Sequence, residues 1–320
     1  MKRNRVCELL GIRYPILQGG MLLLADARLA AAVSNAGALG TLSPYAGMKD
    51  HGDPVENLGM QIACARQWTQ NPFAVNIPLD LPESGLLVDL TIREQVPVVV
   101  TAAGSPEIYS ELFLSAGIRV LHVTSSVSQA AAAEVSGVDA VIAEGCEAGG
   151  RIGRDEIPLV SLVPQVVEAV SIPVIAAGGI ADGHSMASAL ALGASAVQMG
   201  TRFIAVEECP AHPAYKSAIV ASGDAATLVT RRHSVPMRCL RSAFVMKLSA
   251  MERTGVTVDR IDQFIGRGRA RAAQVYGDME NGDAYAGSSA GSIHEIVPAA
   301  SVIENIIWEL NGILRGLCES

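Results

Sequence analysis

Aromatic residues make up only 4% of the 320-residue chain and charged residues 18%. The first shortage disfavours a sandwich of aromatic-rich strands. The second, with half of the residues hydrophobic, excludes a disordered or polyelectrolyte chain. Six cysteines (Cys7, Cys64, Cys146, Cys209, Cys239, Cys318) are scattered with no C-x-x-C pair, so neither a zinc ligand set nor a disulfide framework is expected. A reducing, cytoplasmic setting follows. Nowhere does an apolar run reach the ~18 residues of a membrane span, and the basic start "MKRNRVCELLGIRYP" is broken by Glu8 and Arg13 before a signal-peptide core can form. The reading is a soluble, untargeted protein without membrane contact. Net positive charge is also lacking. A formal charge of −8 argues against a nucleic-acid surface, and the basic cluster "GRGRARAA" from Gly266 reads as a solvated helix start.

What the chain has in quantity is small and aliphatic: 31 glycines with many Ala and Val, suited to helices packed closely on a parallel sheet. Short apolar runs ending in Gly, Asn, Ser or Thr recur between helix-like segments: "YPILQGG" (14–20), "LGTLS" (39–43), "FAVNIPL" (73–79), "VPVVVTAAG" (96–104), "RVLHVTSS" (119–126), "AVIAEG" (140–145), "PVIAAGG" (173–179) and "AVQMGT" (196–201). Eight such units predict an α/β fold, a closed (β/α)8 TIM barrel, with a doubly wound open sheet as the runner-up. From about Ala205 the rhythm changes. Residues 205–283 carry helical patterns such as "SAFVMKLSAMERTG" without β–α alternation, and predict a mostly helical lid inserted into a barrel formed by 1–204 and 284–320. The stretch "IHEIVPAASVIENIIWELNGIL" reads as a closing helix with Pro298 near its start.

In such a barrel the loops after the strands build the site, and those after the seventh and eighth often hold a phosphate. Gly178 and Gly179 in "AAGGIADG", with Gly200 and Thr201 in "QMGTRF", would offer backbone N–H groups and a hydroxyl to it. Tight βα turns alone would also account for these glycines. Gly19, Gly20 and Met21 in "QGGM" would let a flat ring lie on bare main chain, and Asn76 could hydrogen-bond a heterocycle edge. Packing and turn formation are the plainer uses of those residues.

Taken together, these stretches make the chain resemble the FMN-dependent nitronate monooxygenases (2-nitropropane dioxygenases), a family that includes enoyl-acyl carrier protein reductases II and some NAD(P)H:quinone reductases. The resemblance is carried by "YPILQGGM", "VNIPL", "GVDAVIAEGCEAGGRIG", "IPVIAAGGIADG", "GASAVQMGTRF" and "ECPAHPAYK". It implies FMN as cofactor, with Gly19, Gly20, Met21 and Asn76 near the ring, Gly149 and Gly150 beside it, and Gly178, Gly179, Gly200 and Thr201 at its phosphate. NAD(P)H enters as a co-substrate in some members. A small-molecule substrate is implied, and a homodimer is compatible with the reading.

One departure stands out. The family motif E-A-G-G-H ends in a histidine associated with proton abstraction, and here that position is Arg151. A guanidinium stays protonated near neutrality and offers donors only, so Arg151 would bind a substrate anion rather than act as a base. An ion pair with Glu147, Asp155 or Glu156 is the competing use. "HVTSS" lacks a lysine found in some relatives, and Ser288 stands where glutamine is common. His122 is expected to be a hydrogen-bonded structural histidine and Cys146 a passive filler. "GSSAG" around Ser289 matches G-x-S-x-G, but a nucleophile elbow also needs a preceding strand and a later acid and histidine. Three functions remain: oxidation of an anionic nitronate with O2, NAD(P)H-dependent reduction of an enoyl thioester or quinone with FMN as hydride relay, and flavin binding without efficient turnover.

Overall fold

The computed structural model describes residues 4–48 and 52–319. All eight expected strands are present: β1 (Ile16–Gln18), β2 (Gly40–Leu42), β3 (Phe73–Pro78), β4 (Val98–Ala102), β5 (Arg119–Thr124), β6 (Ala140–Glu144), β8 (Val174–Ala177) and β9 (Ala196–Met199). The two-residue β7 (Gly150–Arg151) branches off between them into a second sheet. The eight run parallel in the order β1-β9-β8-β6-β5-β4-β3-β2. A parallel bridge between Leu17 and Leu39 brings the two ends together, with Gln18 N donating to Leu39 O at 2.9 Å and Leu39 N to Ile16 O at 3.0 Å. The architecture is a TIM barrel.

Residue size explains how the barrel fills. Its interior packs Leu17, Leu39, Ala74, Val98, Leu121, Ile142 and Ile175 into one cluster, and the alternate strand residues meet the surrounding helices in another. Val6 and Leu10 of the helix Arg5–Leu10 join the interior cluster, so this short helix plugs one end of the cylinder. Helix starts follow their caps: Asp26, Asp53, Ser126 and Asp182 each accept a backbone N–H at the head of the helix that follows. Gly40 shows why small residues are needed. A Cβ there would lie 2.0 Å from Ala30 O, so β2 could not approach the helix Ala27–Asn35 with any side chain at that point.

Residues 205–283 hold four helices, Pro213–Val220, Ala243–Arg253, Val258–Ile265 and Arg269–Gln274. They also hold an antiparallel hairpin, β10 (Thr227–Thr230) and β11 (Met237–Leu240), that the sequence reading did not anticipate. Each strand is only four residues long. Its third partner is β7, some 80 positions earlier in the chain, where Met237 pairs with Arg151 and Arg238 with Gly150. No local pattern reports such a pairing. The helix Ala299–Glu319 closes the chain and packs on the helices Gly183–Ala191 and Ala27–Asn35.

Candidate active site at the carboxyl ends of the strands

A cavity of about 810 Å3 opens at the carboxyl ends of the barrel strands, and every position singled out above for the cofactor or substrate lines it. Its size lies within the range of sites that enclose a cofactor-sized molecule.

The floor is built from β1, β3 and β9. A Cβ on Gly20 would lie 2.5 Å from Asn76, and one on Gly19 would lie 3.4 Å from the Gln198 side chain. Bare main chain is thus a steric requirement at Gly20. Asn76 donates through Nδ2 to Val100 O at 3.0 Å, which fixes the amide plane at the cavity wall. Gln198 was missed by the sequence reading. Its Oε1 is buried and has no hydrogen-bond partner among the described residues, the state of an acceptor waiting for a donor. The signal was present in "AVQMGT", where an amide interrupts an otherwise apolar inward row. Met21 lines the rim just beyond the two glycines.

Across the cavity, β8 and β9 are hydrogen-bonded neighbours, with Ala177 opposite Gln198, so the turns that follow them lie side by side. Gly178 and Gly179 have φ of 100° and 74°, the left-handed region that glycine adopts without strain. Among the described residues the N–H groups of Gly178, Gly179 and Gly200 donate to no chain atom. Thr201 Oγ1 accepts from Gly287 N at 2.9 Å, leaving its own proton for another partner. A Cβ on Gly149 would lie 2.6 Å from Gly287 N, so the Ala-Gly-Gly turn rests directly on the 286–287 segment. Gly150, at φ 79°, bends into β7.

The turn from Glu144 to Glu156 is held by the insertion. Ile152 N donates to Pro236 O at 3.0 Å, Arg238 Nε to Cys146 O at 2.9 Å, and Arg232 pairs with Glu156. Glu147 accepts from Leu159 N at 3.0 Å and so caps the helix Leu159–Ala169. Arg151 pairs with none of the three acids expected of it. Its NH1 lies 2.8 Å from Oδ2 of Asp80, in the loop after β3, which approaches through the fold and not through the sequence. Both side chains are about half exposed, at 48% and 45%, so the pair is weak and easily exchanged.

His122 is buried with Nδ1 2.8 Å from Thr101 Oγ1, and burial holds its imidazole down at about 4. A satisfied, neutral histidine results, as expected, although it does line the cavity. Burial and the neighbouring Glu147 raise the Cys146 thiol, which keeps it un-ionised and inert. Glu144 stands at the end of β6, where the glycine-rich motif begins. Its carboxyl lines the cavity, has no hydrogen-bond or ion-pair partner among the described residues, and is pushed by burial up to about 7. Ser288–Ser292 forms a 3-10 turn without a preceding strand, so "GSSAG" has no nucleophile-elbow context. Among the described residues no helix is long and apolar enough to cross a membrane.

Known proteins resemble this chain along almost its whole length. The nitronate monooxygenase profile matches residues 3–87 and 84–309. A probable nitronate monooxygenase of Staphylococcus aureus is 32% identical, with 98% of this chain and 99% of that protein covered. FabK from Thermotoga maritima superimposes with a TM-score of 0.92 at 43% identity, covering 100% of this chain and 99% of its own. The nitroalkane oxidase of Streptomyces ansochromogenes gives 0.84 at 29% identity, covering 98% and 99%.

Proposed function

The chain belongs to the nitronate monooxygenase family and is an oxidoreductase, and from that premise we propose that its cavity binds FMN to oxidise an anionic, nitronate-like substrate with O2. The observation that carries this reading is the two-ended cradle, a glycine floor that a single Cβ would fill and, opposite it, a cluster of unengaged backbone N–H groups. The residues present suit that cofactor. FMN, when bound, supplies the two-electron chemistry that no side chain can. Gly178, Gly179, Gly200 and the Thr201 hydroxyl would hold its phosphate. Gly19, Gly20, Met21 and Asn76 would line its ring, Gly149 and Gly150 would lie beside it, and Gln198 Oε1 would gain the donor it lacks. Arg151, on leaving Asp80, would hold the substrate anion by charge-assisted hydrogen bonds. The 205–283 segment, anchored to the active turn through β7, would act as the lid that excludes water.

A second reading, NAD(P)H-dependent reduction of an enoyl thioester or quinone, is favoured by the 43% identity to FabK over the whole chain, against 29% to the nitroalkane oxidase. Anaerobic mixing of the FMN-loaded protein separates the readings. Bleaching of the flavin by a preformed nitronate and not by NAD(P)H supports the first, and the converse supports the second. A protein that takes up FMN but reacts with neither is a flavin binder, and one that takes up no FMN refutes all three.

A further inference from the structure

Arg151 offers no base, yet a carbon acid entering this cavity meets one other group able to exchange a proton. The cavity's remaining ionisable side chains are each disqualified. Asp80 stands half exposed at the mouth, in reach of bulk water. His122 is bonded through Nδ1 to Thr101, and burial lowers its conjugate acid to about 4, which leaves it a weak proton acceptor. Burial raises the phenols of Tyr45, Tyr215 and Tyr285, and the last two are linked to each other through Tyr215 Oη and Tyr285 O. Cys146 and Glu147, on the same turn as Glu144, are a raised thiol and a helix cap. Glu144 differs from all of these. It projects from the last residue of β6 into the cavity, between the turns after β5 and β8, and nothing in the described chain shares its carboxyl. Burial alone sets its proton affinity, with no charged neighbour contributing, and brings it to about 7, where a carboxyl is half ionised at neutrality and suited to acid–base work.

Resting on the flavin reading of this same cavity, we propose that Glu144 is the catalytic base that removes the α-proton of a neutral nitroalkane, so that the enzyme makes its own nitronate. The α-carbon–hydrogen bond breaks, its electron pair stays on the substrate as the nitronate, and an O–H bond forms on Glu144. That proton then passes to water. Arg151, which lines the same cavity, would receive the negative charge that develops on the nitronate. Substrates therefore include neutral nitroalkanes, in spite of the missing histidine.

Proton exchange tests this apart from flavin reduction. FMN-loaded protein is held anaerobically in D2O with nitroethane, and loss of the α-proton signal is followed by NMR from pH 5 to 9. Wild type is expected to accelerate exchange, with a rate that rises with pH and levels off above about 7. Glu144→Gln should lose roughly 100-fold or more of that acceleration, and Glu144→Asp should recover part of it with its own pH profile. Melting at pH 5, where wild type and the Gln variant both carry a neutral group, checks that the fold is intact. No acceleration by wild type, or equal exchange by Glu144→Gln, overturns the assignment. Exchange of the expected kind without flavin bleaching by nitronate supports Glu144 and instead refutes nitronate oxidation as the redox step.

Discussion

Replacing Glu144 by Gln should uncover a pH dependence of stability that the wild-type protein conceals. The carboxyl moves from an ordinary 4.5 when unfolded to about 7 when folded. Between those values the unfolded chain has given up the proton and the folded chain keeps it, so stability is full below 4.5, falls as pH rises, and levels off above 7. At about 1.36 kcal/mol per pH unit, that interval amounts to roughly 3 kcal/mol. His122 acts in the opposite sense. Its imidazole moves from 6.5 to about 4, so its contribution is intact above 6.5 and lost as pH falls toward 4, again over roughly 3 kcal/mol. From pH 4.5 to 6.5 the two slopes oppose each other and nearly cancel. Removing the carboxyl leaves the His122 slope exposed. Urea unfolding of flavin-free wild type and Glu144→Gln from pH 4 to 8 measures the difference directly. The variant should gain on wild type steadily above pH 4.5 and hold a constant lead above 7. A difference that stays flat across the series means that Glu144 is hydrated and ordinary, and the reasoning about its burial fails.

Further outcomes follow from the same geometry. Gly20→Ala must displace Asn76, costing roughly 1–3 kcal/mol of overpacking and about 1 kcal/mol from the Val100 hydrogen bond. It should also weaken FMN uptake in a fluorescence-quenching titration, and unaltered melting and uptake would remove Gly20 from the floor of the site. Thr201→Val leaves Gly287 N without its acceptor, so unfolding should cost about 1–3 kcal/mol less and FMN affinity should fall. Asp80→Asn breaks an exposed pair and should change stability by less than about 1 kcal/mol. It should nevertheless tighten binding of a preformed nitronate severalfold by freeing Arg151, and unchanged affinity would show that Arg151 does not meet the anion. Arg151→His removes the permanent charge assigned to the anion, so it should weaken binding of a preformed nitronate at pH 8, and unchanged affinity counts against that role.

The linear chain settled the barrel because its evidence is local. Each of the eight apolar runs needs only its own residues and a following turn to declare itself a buried parallel strand, and the glycines at 19–20, 178–179 and 200 mark where those strands end. Gly178 and Thr201 could be expected side by side because adjacent strands of such a barrel leave their loops adjacent. Side-chain partners were a different matter. Arg151 meets Asp80, Gln198 is left with an unsatisfied acceptor, and β7 joins a hairpin across some 80 positions. Glu144 stood in plain view within the motif, but its proton affinity comes from the protein packed around it by elements scattered over the whole chain. Periodicity and turn chemistry are written in neighbouring residues. Burial, pairing and the electrostatics of a cavity exist only once distant segments have been brought together, and those are what decided the geometry of this site.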